Sequence, residues 1–234
     1  MPTMSDRFVS PTPADSASRS RRGQTLVEFA LLLPMLLVLL LGIADFGRVF
    51  TSGIILEASA RNAAEGSALE RLRHRPPAVA DMTYYTAIHK LAADTACEES
   101  RELPTFGGAA CPDGAHDRAG NPAWFAGVCV HDGADPLCNG SAPYGYAAAP
   151  GECTLLTDPS SWTNAYEPSG AASYFVEVRL CYKFETLFNL DISLPLNWGL
   201  SLGDIWLQRT RTFVVDCPVG TDPADLTTNC PNAP

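Results

Sequence analysis

From Leu26 to Ala44 every residue is apolar except Glu28. Nineteen residues in a helix span about 28 Å, close to the thickness of a bilayer's hydrocarbon core. Arg19, Arg21 and Arg22 stand immediately before the run, and basic residues on one flank hold that end in the cytoplasm. Pro34 lies inside it, a kink that a membrane helix accommodates when neighbours satisfy the freed carbonyl. Beyond the apolar run, Val49, Phe50, Ile54, Leu56, Ala60, Ala64 and Ala68 recur mostly at spacings of three and four. Arg48, Glu57, Arg61 and Glu65 are interleaved with them. That period extends the same helix until Pro76-Pro77 stops it. A helix from Gln24 to about Arg75 is on the order of 78 Å long. Its outer half must pack on the rest of the chain or on a neighbour.

Asp81 to Glu99 predicts a second helix, with Met82, Tyr85, Ile88, Ala92 and Ala96 on one apolar face. Between Ser100 and Gly170 periodicity fades, Gly and Pro are frequent, and four cysteines occur. A loop-rich segment of this length needs cross-links to be ordered. Order returns where Tyr174, Val176, Val178, Leu180 and Tyr182 alternate with Phe175, Glu177, Arg179, Cys181 and Lys183, the pattern of a half-buried strand. Ile205 to Val215 predicts another. Phe184 to Gly203 is apolar but broken by Pro195 and Gly199, which suits loop or short edge strands. The expected fold is α+β: a long N-terminal transmembrane helix running into a small antiparallel-sheet ectodomain with a disulfide-rich, loop-rich insertion. The divisions are a cytoplasmic leader at 1–23, the membrane helix at 24–45 and a helical segment at 46–99. The insertion at 100–170 and a strand pair with its tail at 171–234 complete the chain. The leader's Ser, Pro, Thr and Ala, with no apolar period over residues 1–20, read as disordered.

Charge sharpens this division. Arg7, Arg19, Arg21 and Arg22 balance Asp6, Asp15, Glu28 and Asp45, so the whole net charge of −10 lies beyond residue 45. Such an acidic portion argues against nucleic acid as a partner and against binding anionic lipid through bulk charge. All eight cysteines also lie beyond the apolar run: Cys97, Cys111, Cys129, Cys138, Cys153, Cys181, Cys217 and Cys230. An even number on one side of a membrane segment suits disulfides in an oxidising compartment. On the order of a hundred pairings are formally open. No CxxC pair occurs, and His74, His89, His116 and His131 lack ligand spacing, so neither a metal nor another cofactor is expected.

Arg21-Arg22-Gly23-Gln24-Thr25-Leu26-Val27-Glu28-Phe29 is the segment richest in chemistry. A carboxylate at a membrane helix centre costs roughly 2.5–3.5 kcal/mol, and less near an end. Glu28 either snorkels to water or has a partner. Cleavage after Gly23 would create an α-amine at Gln24, which a neighbouring subunit's Glu28 could neutralise. Gly23 and Gln24 followed by Glu28 and Phe29 at the head of an apolar helix resemble the class III signal of type IV pilins. The stretch RRGQTLVEFALLLPMLLVLLLGIADFGRVF, with ARNAAEGSA at Ala60–Ala68, resembles the TadE-like family of tight-adherence pilus assembly proteins. The resemblance implies a pseudopilin-like protein cut between Gly23 and Gln24 by a prepilin peptidase, with other pilins, pseudopilins and assembly proteins as partners. It implies a single-pass protein of the bacterial cytoplasmic membrane, N-terminus inside and C-terminal part outside, lying beneath a surface pilus or within it. A retained signal anchor and secretory cleavage near Gly42-Ile43-Ala44 are the competing readings. A disulfide-rich, adhesin-like ectodomain on a membrane anchor is the alternative function.

An enzyme is not expected: HExxH and a phosphate-cradling glycine loop are both missing. Asp113, His116, Asp117, His131, Asp132 and Asp135 cluster without the spacing of a calcium loop, and solvated turns are the simpler reading. Asn139-Gly140-Ser141 is a formal glycosylation sequon. Phe184, Phe188, Trp198 and Trp206 are expected in a sheet core rather than in an exposed docking patch.

Overall fold

The computed structural model describes residues 17–73, 82–107, 110–131, 135, 138, 145–158, 162, 174–187, 190–193 and 199–215. The chain divides into two compact units, Met1–Gly47 and Arg48–Pro234. Helix α1 runs Ala17–Arg73 and contains Pro34. It therefore begins inside the segment expected to be disordered. Extending an existing helix costs far less than nucleating one, and Ser, Arg and Ala are adequate helix formers. It is described as far as Arg73; the expected end near Arg75 and Pro76-Pro77 lie outside the described residues.

In the first unit Leu26, Phe29, Leu31, Met35 and Ile43 are all exposed. One α1 stretch is long and apolar enough to cross a membrane. In the second unit α1 packs on a core. Leu56, Ala60, Ala63, Ala64 and Ala68 are fully buried, with Ser52, Ser59 and Ser67. Small side chains let the helix backbone approach its neighbours closely, and the Ser59 and Ser67 hydroxyls are satisfied by donating to the Ile55 and Ala63 carbonyls. Phe50 and Ile54, expected on the packed face, are instead exposed. Alanines and serines, with Leu56, define the buried stripe.

Helix α2, Met82–Glu99, buries Tyr85, Ile88, Ala92 and Ala96 as expected, together with His89, Ala93 and Cys97. Met82 is exposed, because the first turn reaches past the core. Strand β1 covers Trp124–His131, a short helix α3 covers Thr154–Thr157, and β2 covers Tyr174–Phe184. A separate antiparallel pair follows, β3 (Leu190–Ser193) with β4 (Gly199–Leu202), and then β5 at Ile205–Val215. The main sheet is antiparallel in the order β1-β2-β5. Val128 faces Val178 across the first pair, and Val178 faces Arg211 across the second. The architecture is α+β.

Both faces of this sheet are covered. On one, Ala126, Val128, Val130, Val176, Val178, Leu180, Tyr182 and Phe184 join the buried residues of α1 and α2 in one core. On the other, Phe125, Cys129 and Cys181 pack with Cys153, Leu156 and Trp162 in a second. The expectation of a half-buried strand at Tyr174–Lys183 is thereby corrected: Phe175 to Tyr182 are all buried, because α3 and Trp162 cover the face left for solvent. Residues 100–170 supply β1, an edge strand of the main sheet, and the layer over its second face.

Among the described residues there are three disulfides, Cys97–Cys111, Cys129–Cys138 and Cys153–Cys181, the last two within the second cluster. The first ties the end of α2 to the chain before β1. The second closes a loop at the end of β1, and the third fastens the α3 segment to β2. Cys217 and Cys230 lie outside the described residues. Phe184 is in the core and Trp206 packs against the second cluster; Phe188, Trp198 and the Asn139-Gly140-Ser141 sequon fall outside the described side chains.

Candidate membrane and assembly segment

Gly23 and Gln24 lie within α1, so the bond between them belongs to helical backbone. One turn on, the Gln24 side-chain amide donates to Glu28 Oε1 at 3.3 Å, both groups exposed. Spacing of four puts the two on one face of the helix. Phe29 is exposed beside them. In this arrangement Glu28 presents a carboxylate on an otherwise apolar surface, available to a cationic or amide donor from another helix.

The other titratable residues noted in the sequence are mostly engaged inside the second unit. Asp117 folds its own loop: Oδ1 accepts the N–H groups of Ala119 (3.0 Å) and Asn121 (2.8 Å). Lys183 Nζ lies 3.0 Å from Asp117 Oδ2 and 2.8 Å from Asp204 Oδ2. Burial opposes ionisation of Asp117, but the Asn121 N–H, the Lys183 ammonium and the Asn121 side chain outweigh it and hold its carboxyl at about 2. The Asp204 carboxylate is the main reason that Lys183 is held above the ordinary lysine range. Asp135, also read as a solvated turn residue, has a buried side chain whose Oδ2 lies 2.7 Å from His89 Nε2 and accepts the Val130 N–H at 2.8 Å. His131 Nε2 is 2.8 Å from Glu177 Oε2 and stacks on Phe175. Asp113 and His116 are exposed, as expected of turn residues; Asp132 lies outside the described residues. Cys129, Asp135 and Cys138 have ligand atoms close together, but the two sulfurs are bonded to each other and supply no thiolate.

Glu177 and Arg179 were legible in the sequence only as the polar side of a strand. They form a buried pair over which Trp162 lies, its ring 4.1 Å from the Arg179 guanidinium carbon. Arg179 Nη1 also donates to the Leu155 carbonyl at 2.6 Å. These contacts fasten α3 and Trp162 to the sheet, a structural task. Within the apolar run Leu26–Ala44, Glu28 near the head of the helix is the charged residue.

Residues 23–65 match the family model described as TadE-like protein. This chain carries a TadE-like helix. The match begins at Gly23, includes Glu28 and the exposed apolar run, and ends at Glu65 within the buried alanine stripe. It thus spans the membrane-length part of α1 and much of the part that packs on the sheet. No curated protein and no solved structure matches the chain significantly. The TadE-like match covers neither the main sheet nor the three disulfides.

Proposed function

We propose that this chain is a membrane-anchored, pseudopilin-like component of tight-adherence pilus assembly, acting by helix packing and protein–protein contact rather than by catalysis. The observation that carries this reading is the character of the TadE-like segment. Within one helix it passes from a largely exposed apolar run with a lone carboxylate to an alanine stripe buried in a folded core. An apolar helix of that length finds its partners in lipid and in other apolar helices, and Glu28 marks the position where a partner's amine fits. The N-terminus is cytoplasmic and the disulfide-bonded unit is outside, in agreement with the basic flank and the cysteine chemistry. The prepilin peptidase acts at Gly23–Gln24, and the mature helix then engages other pilins, pseudopilins or assembly proteins. Residues 100–170 supply a strand of the main sheet, so an adhesive role would rest on surface loops, not on a separable insertion.

Peptide mass spectrometry of the N-terminus, on protein from membranes with and without the prepilin peptidase, tests the reading. The expected mature chain starts at Gln24 and appears only when the peptidase is present. A Met1 or Met4 start in both strains would leave an uncut signal anchor and remove the pseudopilin assignment.

A further inference from the structure

Arg48 stands four residues beyond Ala44, the last residue of the apolar run, about 6 Å along a helix. The headgroup layer of a bilayer is roughly 5–8 Å deep on each side, so an anchored helix delivers Arg48 at that depth. Arg48 also lines an open pocket of about 270 Å³, whose other polar walls are Thr105, His116, Asp117, Arg118 and Glu185. The pocket therefore carries two guanidinium groups and two carboxylates. Its parts are held in place. The Arg48 guanidinium carbon sits 5.1 Å from the centre of the Phe184 ring. Arg118 Nε lies 3.4 Å from Glu185 Oε2, its Nη2 donates to the Thr186 carbonyl at 3.1 Å, and its backbone N–H donates to Glu185 Oε1 at 3.0 Å. The Arg118 side chain nonetheless remains 60% exposed, and a guanidinium offers five N–H donors in all.

We propose that this pocket binds the zwitterionic headgroup of a membrane phospholipid bearing a phosphate and a primary ammonium. The phosphate meets Arg48 and Arg118, and the ammonium meets the Glu185 carboxylate. Guanidinium groups suit phosphate oxygens through paired N–H donors. An anionic headgroup is disfavoured by the two wall carboxylates and by the net charge of −10. Leu187, adjoining Thr186, is exposed and adds apolar surface that a lipid uses and a soluble phosphate does not. The proposal rests on the membrane-anchored reading.

The full chain is reconstituted into vesicles containing phosphatidylethanolamine, phosphatidylglycerol or phosphatidylcholine alone. The vesicles are floated, then dissolved in mild detergent, and retained lipid is counted by native mass spectrometry. One phosphatidylethanolamine per chain is expected, falling at least tenfold in the Arg48→Gln/Arg118→Gln double variant and in Arg118→Gln alone, with unchanged circular dichroism. Equal retention by these variants overturns the proposal, as does preferential retention of phosphatidylglycerol. Soluble phosphoethanolamine held as firmly as the lipid would overturn the lipid assignment. A chain that fails to float defeats the anchor reading itself, whereas one that floats and retains no phosphatidylethanolamine defeats only this site.

Discussion

Glu177 and Arg179 stand two residues apart on one face of β2, and Arg179 Nε reaches Glu177 Oε1 at 2.5 Å with both side chains almost wholly buried. Glu177 also meets His131, but breaking a buried ion pair by removing one partner typically costs about 3–5 kcal/mol. Arg179→Leu is therefore expected to lower stability by roughly that amount. Replacing both by leucine should cost markedly less than either single change. Urea unfolding of the detergent-solubilised chain measures this, and additive single and double losses would deny the coupling.

At Gly127 the second layer lies directly against the sheet. A Cβ there would lie 2.6 Å from Leu156 Cδ2 and 3.0 Å from Trp162 Cζ2. Gly127→Ala is expected to cost about 1–3 kcal/mol by overpacking. The quenching or spectral position of Trp162 fluorescence should shift with it. A neutral substitution would mean that α3 and Trp162 are free to move outward.

Loop-closure entropy ranks the disulfides. Cys153–Cys181 spans 28 residues, Cys97–Cys111 spans 14 and Cys129–Cys138 spans 9. Replacing each pair by serine should destabilise in that order, by roughly 3–4 kcal/mol for the longest loop and about 2.5–3 for the shortest. Thermal melts of the three double variants decide it. A reversed order would place the stabilisation in local packing instead.

Stability should fall at both ends of the pH scale for separate reasons. The Asp117 carboxyl is held at about 2, below its ordinary value of 3.8, so the folded state binds fewer protons there. Its contribution is present above about pH 4 and is lost as pH falls toward 2. Lys183 is raised above 10.5, and Tyr146 is raised by burial and by the hydrogen bond it donates to Asp94. Their contribution is complete below about pH 10 and is lost as pH rises further. Asp117→Asn should flatten the acid limb without altering the alkaline one, as read from melting temperature against pH.

Glu28 is expected to matter for assembly and not for folding, since its one described hydrogen bond is with Gln24 at the surface. Glu28→Ala should strongly reduce fibre formation and leave the melt of the globular unit unchanged. Fibre counts by electron microscopy, beside the N-terminal mass, separate assembly from processing. Undiminished fibres would refute a partner for this carboxylate.

The sequence by itself determined the elements whose periodicity is sustained. The membrane-length helix, its continuation through Ala60–Ala68, α2, and β5 at Ile205–Val215 were all readable, because each repeats one pattern over many residues. The TadE-like motif was readable for a related reason, since a charge and a glycine at the head of an apolar helix are visible without any partner. Strand β1 was not. Trp124 to Val130 is a short apolar run without alternation, which is how a strand buried on both faces reads, and flanking glycines and prolines hid it among loops. The pairing of six cysteines, the burial of Glu177 with Arg179, and the meeting of Asp135 with His89 were decided only by the tertiary structure. Each depends on residues far apart in the chain being brought within a few ångströms, and no local pattern carries that distance.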